Sequence, residues 1–372
     1  MMKTKVGLYV HIPFCIKKCN YCDFCSFSDV KQDTRKRYID RLCQEIESYS
    51  KRNIEIDTIF FGGGTPSVLT IEEFDRLVDS IENTFIIDSK KEFTVEVNPG
   101  AADIIKIQAF VRRGVNRFSV GLQSIHDNEM KKLGRIHDFE DFKRTYNDIR
   151  SAGITNINID LMYGIPEQTL KSFETTLDRV LDLDPEHISV YGLILEENTP
   201  FYAMRETLDI PSEDAECDMY YLALNKLSQK GYCHYEISNY SKKGFESRHN
   251  LKYWHCDQYI GIGVSAHSYF EGNRYGNKSN LEKYIADIST VETLETLDSE
   301  TNKYEFAMLS LRLSEGFSLN DYKNRFGCDF LDGRAPMIHS MVEHGYIKMQ
   351  GDRISLTDKG FYVSNSILTE LL

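Results

Sequence analysis

Through the first two hundred residues, short apolar runs alternate with longer stretches in which apolar positions recur every three or four residues. The runs VGLYVHI (6–12), TIFFGG (58–63), EFTVEV (92–97), RFSVGL (117–122), NINIDLMYG (156–164) and HISVYGLIL (187–195) are rich in β-branched and aromatic residues. Several are almost continuously apolar, the pattern of parallel strands buried on both faces. The stretches between them predict amphipathic helices over 34–50, 71–85, 104–113, 139–152 and 170–181. Gly114 and Gly153 close two of these, as glycine commonly does at a helix C-terminus.

Strand–helix units in series predict an α/β fold, either a doubly wound sheet or an incomplete barrel. The polar motifs favour the barrel. GGGTP, EVNPG, GLQS, DLMYGIP and GLILEENTP each follow a strand at its C-terminal end, and that rim is where β/α barrels bind ligands. The expected core is a partial (β/α)6 barrel of the TIM type over residues 1–205. Residues 206–298 open with a helix at 213–230 and continue in a stretch dense in Tyr, His, Asn and Gly. This segment reads as an α+β extension of short strands and loops packed against the barrel. From residue 299 the pattern turns helical, and KMQGDRISL reads as a hairpin with Gly351-Asp352 at its turn, before a last helix from Thr357. Residues 299–372 are therefore expected to form a helical, winged-helix-like module. It carries no basic stripe, so DNA is not its expected partner.

Composition narrows the class. No stretch approaches the eighteen or so consecutive apolar residues of a membrane span. The N-terminal apolar run is short, is broken by His11 and Pro13, and lacks a small-residue cleavage site, so it does not read as a signal peptide. A cytoplasmic protein is expected. A net charge of −13 disfavours nucleic acid as the main partner. Cytosolic thiols stay reduced, so the nine cysteines are not a disulfide framework.

Four of those nine crowd into one loop. Cys15, Cys19 and Cys22 are spaced C-x3-C-x2-C just after the first predicted strand, and Cys25 follows Asp23 and Phe24. Structural zinc usually takes two cysteine knuckles a dozen or more residues apart, and no second knuckle follows here. A thioredoxin-like redox pair lacks its other features. A cube-type iron–sulfur cluster fits the close spacing, because one short loop must wrap several iron corners. Three thiolates would leave one iron open to a small ligand. Cys25 is open to three readings: a spare thiol, a fourth ligand, or a buried residue.

With Tyr21 before its last cysteine, this motif resembles the signature of the radical S-adenosylmethionine (SAM) superfamily. The resemblance implies a [4Fe–4S] cluster whose open iron is chelated by SAM. Gly62-Gly63-Gly64-Thr65-Pro66 is similar to the superfamily's glycine motif, though a plain tight turn reads the same way. Glu96 and Asp160 are rim carboxylates that could equally cap helices, and Gln123 and Arg135 have surface or packing readings.

YVHIPFC-x3-C-x2-C, FFGGGTPS, SVGLQS followed by LGRIH, and NIDLMYGIP narrow the likeness to the HemN/HemW group. That group joins oxygen-independent coproporphyrinogen III dehydrogenases to heme chaperones. By motif position the resemblance implies that Tyr9, Gly63, Gly64, Thr65, Glu96, Gln123, Arg135 and Asp160 contact SAM or its surroundings. Cys15, Cys19 and Cys22 would hold the cluster.

Three features favour the chaperone branch over the dehydrogenase. Eight residues precede Tyr9, where the dehydrogenase has a longer extension. Cys22-Asp23-Phe24-Cys25 replaces its C-x-C. His249-Asn250-Leu251-Lys252-Tyr253-Trp254 matches the chaperone's H-N-x-x-Y-W. The implied function is heme binding and transfer to acceptor hemoproteins, respiratory enzymes among the candidates, without coproporphyrinogen dehydrogenase activity. The implied partners include an electron donor for the cluster, with a homodimer as the candidate assembly. His249 is a candidate heme ligand, with His255, Cys256 and His267 as alternatives; a hydrogen-bonded structural histidine fits it as well. The other reading of the whole chain is the dehydrogenase itself.

Overall fold

The structure is a computed structural model that describes residues 5–287 and 289–372. Six parallel strands form its centre: β1 (Val6–Ile12), β2 (Glu55–Gly63), β3 (Ile86–Val97), β4 (Arg117–Gln123), β5 (Ile157–Tyr163) and β6 (His187–Gly192). They lie side by side in chain order and do not close, as a partial barrel requires. Helices on the outside bury their apolar stripes against the strands. Phe74 from the helix Ile71–Thr84 meets Phe61 of β2, Phe93 of β3 and Phe110 of the helix Ile104–Arg112, with ring centroids 4.1–6.0 Å apart. All four rings are buried.

The boundaries differ in instructive ways. Strand β3 starts at Ile86, six residues before the apolar run, because Ile86 and Ile87 already pair with Glu55 and Ile56 of β2, ahead of a bulge at 88–91. Strand β6 stops at Gly192, and Leu193–Leu195 leave the sheet although they are apolar. The short helix Asp127–Lys132, four of whose six residues are charged, offers no apolar periodicity to read.

The segment after residue 205 is not a separate layer on the barrel. Its strands continue the sheet at both edges. Strands β7 (Cys233–Glu236) and β8 (Asn239–Ser241) add antiparallel beyond β6. On the other side β9 (Tyr259–Ile262) pairs parallel with β1, matching Gly7 to Tyr259 and Val10 to Ile262. Strands β10 (His267–Phe270), β11 (Asn273–Asn277) and β12 (Val291–Thr296) follow antiparallel, giving twelve strands in the order β12-β11-β10-β9-β1-β2-β3-β4-β5-β6-β8-β7. An open barrel leaves two edges with unpaired backbone groups, and these additions satisfy them.

A buried polar knot ties the β9–β12 side to the barrel. Glu45 of the helix Gln32–Glu47 accepts hydrogen bonds from the Gly263 N–H at 3.0 Å, from Asn277 Nδ2 at 2.6 Å and from the Tyr284 hydroxyl. Beside it the Tyr38 hydroxyl donates to the His11 carbonyl at 2.8 Å and accepts from the Val264 N–H at 3.1 Å.

The C-terminal module is built as the pattern suggests. The helices Ser299–Ser310, Leu319–Phe326 and Ala335–Glu343 pack with a sheet of β13 (Phe317–Ser318), β14 (Ile347–Gln350) and β15 (Arg353–Leu356). Strands β14 and β15 are the expected hairpin, and Gly351 takes the left-handed turn conformation at φ +64°. Among the described residues no helix is long and apolar enough to cross a membrane.

Candidate functional site

The cysteine loop leaves β1 at its C-terminal end and is pinched shut at its neck. The Cys15 N–H donates to the Phe27 carbonyl at 3.0 Å, and the Phe27 N–H to Pro13 at 2.7 Å. Its middle is braced against the far side of the rim: the Asn20 N–H and Nδ2 donate to the carbonyls of Leu133 and Lys132 at 2.9 and 2.8 Å. Held this way, Cys15, Cys19 and Cys22 share one cavity of about 480 Å³ with Gly63, Gly64, Thr65, Glu96, Gln123, Arg135 and Asp160. Cys25 does not line it; its Sγ turns to the Ser279 carbonyl at 3.5 Å.

The glycine turn after β2 is packed directly under the loop. Gly63 has φ +113°, and a Cβ there would stand 2.5 Å from the His11 ring. A Cβ on Gly64 would meet the Phe14 carbonyl oxygen at 2.9 Å and Cys15 Sγ at 3.0 Å. No other residue type fits without moving the His11 ring in the first case or the loop in the second. Thr65 donates toward Cys15 Sγ at 3.7 Å and accepts from Asn98 Nδ2 at 2.8 Å.

Two carboxylates sit within strands β3 and β5 rather than beyond their ends. Glu96 accepts from the Gly63 N–H at 3.1 Å. Burial, reinforced by Asp160, pushes its carboxyl up to about 8 against the pull of that N–H. Asp160 accepts from Asn158 Nδ2 at 2.7 Å and the Ser119 hydroxyl at 3.2 Å, and burial raises it as well. Gln123 closes β4 in the left-handed region at φ +71° and accepts from the Tyr191 hydroxyl at 2.7 Å. A non-glycine residue held there is a local strain of the sort that gathers at ligand sites.

Arg135 is the buried cation of the rim. Its Nη1 points to Cys19 Sγ at 3.8 Å, its Nη2 donates to Asn98 at 3.1 Å and to the Gly121 carbonyl, and its Nε is buried without a partner. A buried guanidinium with one donor unspent is costly. It suits a site meant to hold an anionic group. Burial raises the Cys15 and Cys22 thiols, so a bound metal would displace their protons.

Asn98 and Tyr191 are rim residues that the motifs did not single out. Asn98 lies inside EVNPG and links Thr65 to Arg135. Tyr191 lies in β6 and could be found only through the fold.

The structure does not bring Tyr9 or His249 to the cavity. Tyr9 stands inside the barrel one layer below, where its hydroxyl donates to His11 Nδ1 at 2.9 Å while His11 Nε2 donates to the Cys25 carbonyl at 2.8 Å. His249 belongs to the helix Arg248–Trp254, which plugs the N-terminal end of the barrel. The Arg248 and His249 N–H groups donate to the two Glu92 carboxylate oxygens at 3.0 Å each, and Lys252 pairs with Asp57 at 2.9 Å. His249 is 1% exposed, and both ring nitrogens are engaged, Nδ1 with the Thr58 hydroxyl at 2.9 Å and Nε2 with the Tyr253 hydroxyl at 2.8 Å. Burial pushes it down to about 3. With its ring buried and both nitrogens occupied, His249 has here the geometry of the hydrogen-bonded structural reading rather than that of an open iron ligand. Trp254 packs with Arg312, 5.9 Å from its ring, and His255 faces Glu315 at 3.4 Å.

Comparison with known proteins gives this geometry its class. Residues 9–180 match the Radical SAM superfamily and residues 297–363 the HemN C-terminal domain. The "Heme chaperone HemW" of Lactococcus lactis subsp. lactis (strain IL1403) is 35% identical over 376 residues, spanning 100% of this chain and 98% of its own. The proteins of that name from Bacillus subtilis (strain 168) and Escherichia coli (strain K12) are 36% and 32% identical, each over 98% of this chain and over 98% and 97% of their own. Among solved structures, the Escherichia coli coproporphyrinogen III oxidase HemN, described as a radical SAM enzyme, superposes with a TM-score of 0.88. At 24% identity, covering 99% of this chain and 90% of that one, this is a likeness of fold. A partial barrel with a three-cysteine loop at its strand-end rim is the architecture of a radical SAM protein. Within that class, the chain belongs to the HemW family. Membership of the superfamily implies a [4Fe–4S] cluster and SAM, and the three cavity-facing thiols beside a buried, under-partnered arginine fit them.

Proposed function

We propose that the protein binds heme and delivers it to acceptor hemoproteins in the cytoplasm, with a [4Fe–4S] cluster on Cys15, Cys19 and Cys22 and SAM in the adjoining cavity. The observation that carries the rim assignment is the sorting of the four loop cysteines: three face one cavity and Cys25 faces Ser279. The curated relatives, matched end to end, carry the heme reading by their name. When bound, the cluster and SAM supply one-electron chemistry at the rim. Gly63 and Gly64 leave the backbone open to close approach, and Arg135 offsets the charge of the thiolates. Asp160 offers an acceptor to a ligand hydroxyl. Glu96, largely protonated near neutral pH, offers a donor.

The test is to give the cluster-loaded protein hemin in one assay and coproporphyrinogen III with SAM and a reductant in another. Saturable heme uptake and transfer to an apo-hemoprotein, without release of CO2, is the expected result. SAM-dependent decarboxylation without specific heme uptake would replace the chaperone with the dehydrogenase.

A further inference from the structure

A second cavity, of about 290 Å³, opens where the floor helix Arg248–Trp254, strands β9–β11 and the helix Ser299–Ser310 of the C-terminal module meet. Its walls include Tyr253, Tyr259, Tyr269 and Met308. Tyr253 and Tyr259 stand nearly at right angles with centroids 4.6 Å apart. Such walls suit the face of a flat apolar ring.

Two polar groups at this cavity lack protein partners. Six of the ten histidines make a hydrogen bond, and His255 and His339 each face a carboxylate. The ring of His267, at the start of β10, makes none among the described residues. It lies over Gly276 of β11, where an added Cβ would come within 2.9 Å of its Cε1, so the missing side chain is what leaves the ring its place. Arg325 is likewise without an ion pair or hydrogen bond among the described residues; its guanidinium is held over Phe306 and Phe326 at 4.8 and 5.5 Å.

An unpartnered imidazole, an aromatic wall and an unpaired guanidinium are what an iron porphyrin asks for: an axial nitrogen, a surface for the ring and a partner for a propionate. We infer that this cavity is the iron-porphyrin site, with His267 as the axial ligand and Arg325 pairing a propionate carboxylate. The inference rests on the heme reading proposed above and gives it a place. His267 is exposed at this cavity, which suits a cargo that has to leave. His249 touches the site only through its hydrogen bond to Tyr253, which makes it a positioning residue.

The full-length, cluster-loaded protein is titrated with hemin while the Soret band is followed. His267→Ala should shift the band and weaken binding about 10-fold or more, with free imidazole restoring the band position. Arg325→Ala should weaken binding several-fold with the band unmoved. His249→Ala should also weaken it with the band unmoved, and His249→Gln, which keeps a partner for Tyr253, should recover the affinity. If His267→Ala does not fold, Arg325→Ala decides alone. Unchanged hemin binding in Arg325→Ala and in a folded His267→Ala overturns the site but not heme binding. A ligand band that moves with His249→Ala or Cys256→Ser takes the axial role from His267 and overturns the assignment. Wild-type protein that takes up no hemin overturns the heme reading itself.

Discussion

Gly64 carries more than its place in a glycine-rich turn suggests. Because a Cβ there would collide with the backbone of the cysteine loop and with Cys15 Sγ, Gly64→Ala should cost the protein most of its iron, rather than SAM affinity alone. Cys25→Ala should keep about four irons per chain, the content of a cube-type cluster. Iron analysis after anaerobic reconstitution reads both. Glu96 makes a pH prediction. It sits at about 8 in the fold and near 4.5 when exposed, so the folded state holds a proton that the unfolded state gives up between those values. Its contribution to stability is fully present below pH 4.5, is lost as pH rises to about 8, and changes no further above that. Melting curves of cofactor-free protein should therefore show Glu96→Gln gaining on wild type from pH 5 to 8.5, by a few kcal/mol at most. A pH-independent difference would mean the carboxyl is ionised in the fold. The cysteines, glycines and rim carboxylates were legible in the sequence because each is a residue type whose chemistry speaks locally. Asn98, Tyr191 and the partnering of His249 were not, because their roles are contacts across strands far apart in the chain.

The floor helix shows how an element too short to stand alone is held. Seven residues give few internal hydrogen bonds, and Glu92 from β3 supplies acceptors for two of the unsatisfied N–H groups at its start. Removing that carboxylate by Glu92→Ala should cost about 1–3 kcal/mol, since it strands the buried His249 N–H and the part-buried Arg248 N–H. Hydrogen exchange should then show residues 248–254 opening before the barrel strands; uniform protection would say that packing alone holds the helix. The strands β1 to β6 were legible because buried parallel strands are apolar almost throughout. The first half of β3, the short helix at 127–132 and the plugging position of 248–254 were not. Each owes its conformation to a partner rather than to its own pattern.

Across the whole molecule, the barrel and the segment after it are one sheet, and Glu45 is the fastening between them. Glu45→Ala leaves the Gly263 N–H and Asn277 without their buried acceptor and should lower stability by about 2–4 kcal/mol. Proteolysis should then begin on the β9–β12 side while the β2–β6 region stays protected; a loss of stability with no change in cleavage pattern would place the knot's role elsewhere. The partial barrel was legible from motif position. The edge additions were not, because β7 to β12 are short and of mixed polarity.

The parallel pairing of Gly7 with Tyr259 also sets a timetable. Strand β1 leaves the ribosome well before its partner, because the strand that covers its outer edge is made only after about 250 further residues. At 5–20 residues per second, that edge stays open for roughly 10–50 s of synthesis. It offers an apolar, unpaired strand to any neighbouring chain throughout that wait. Nascent chains halted before β9 should need a holding chaperone to stay dispersed, and those halted just beyond β12 should not.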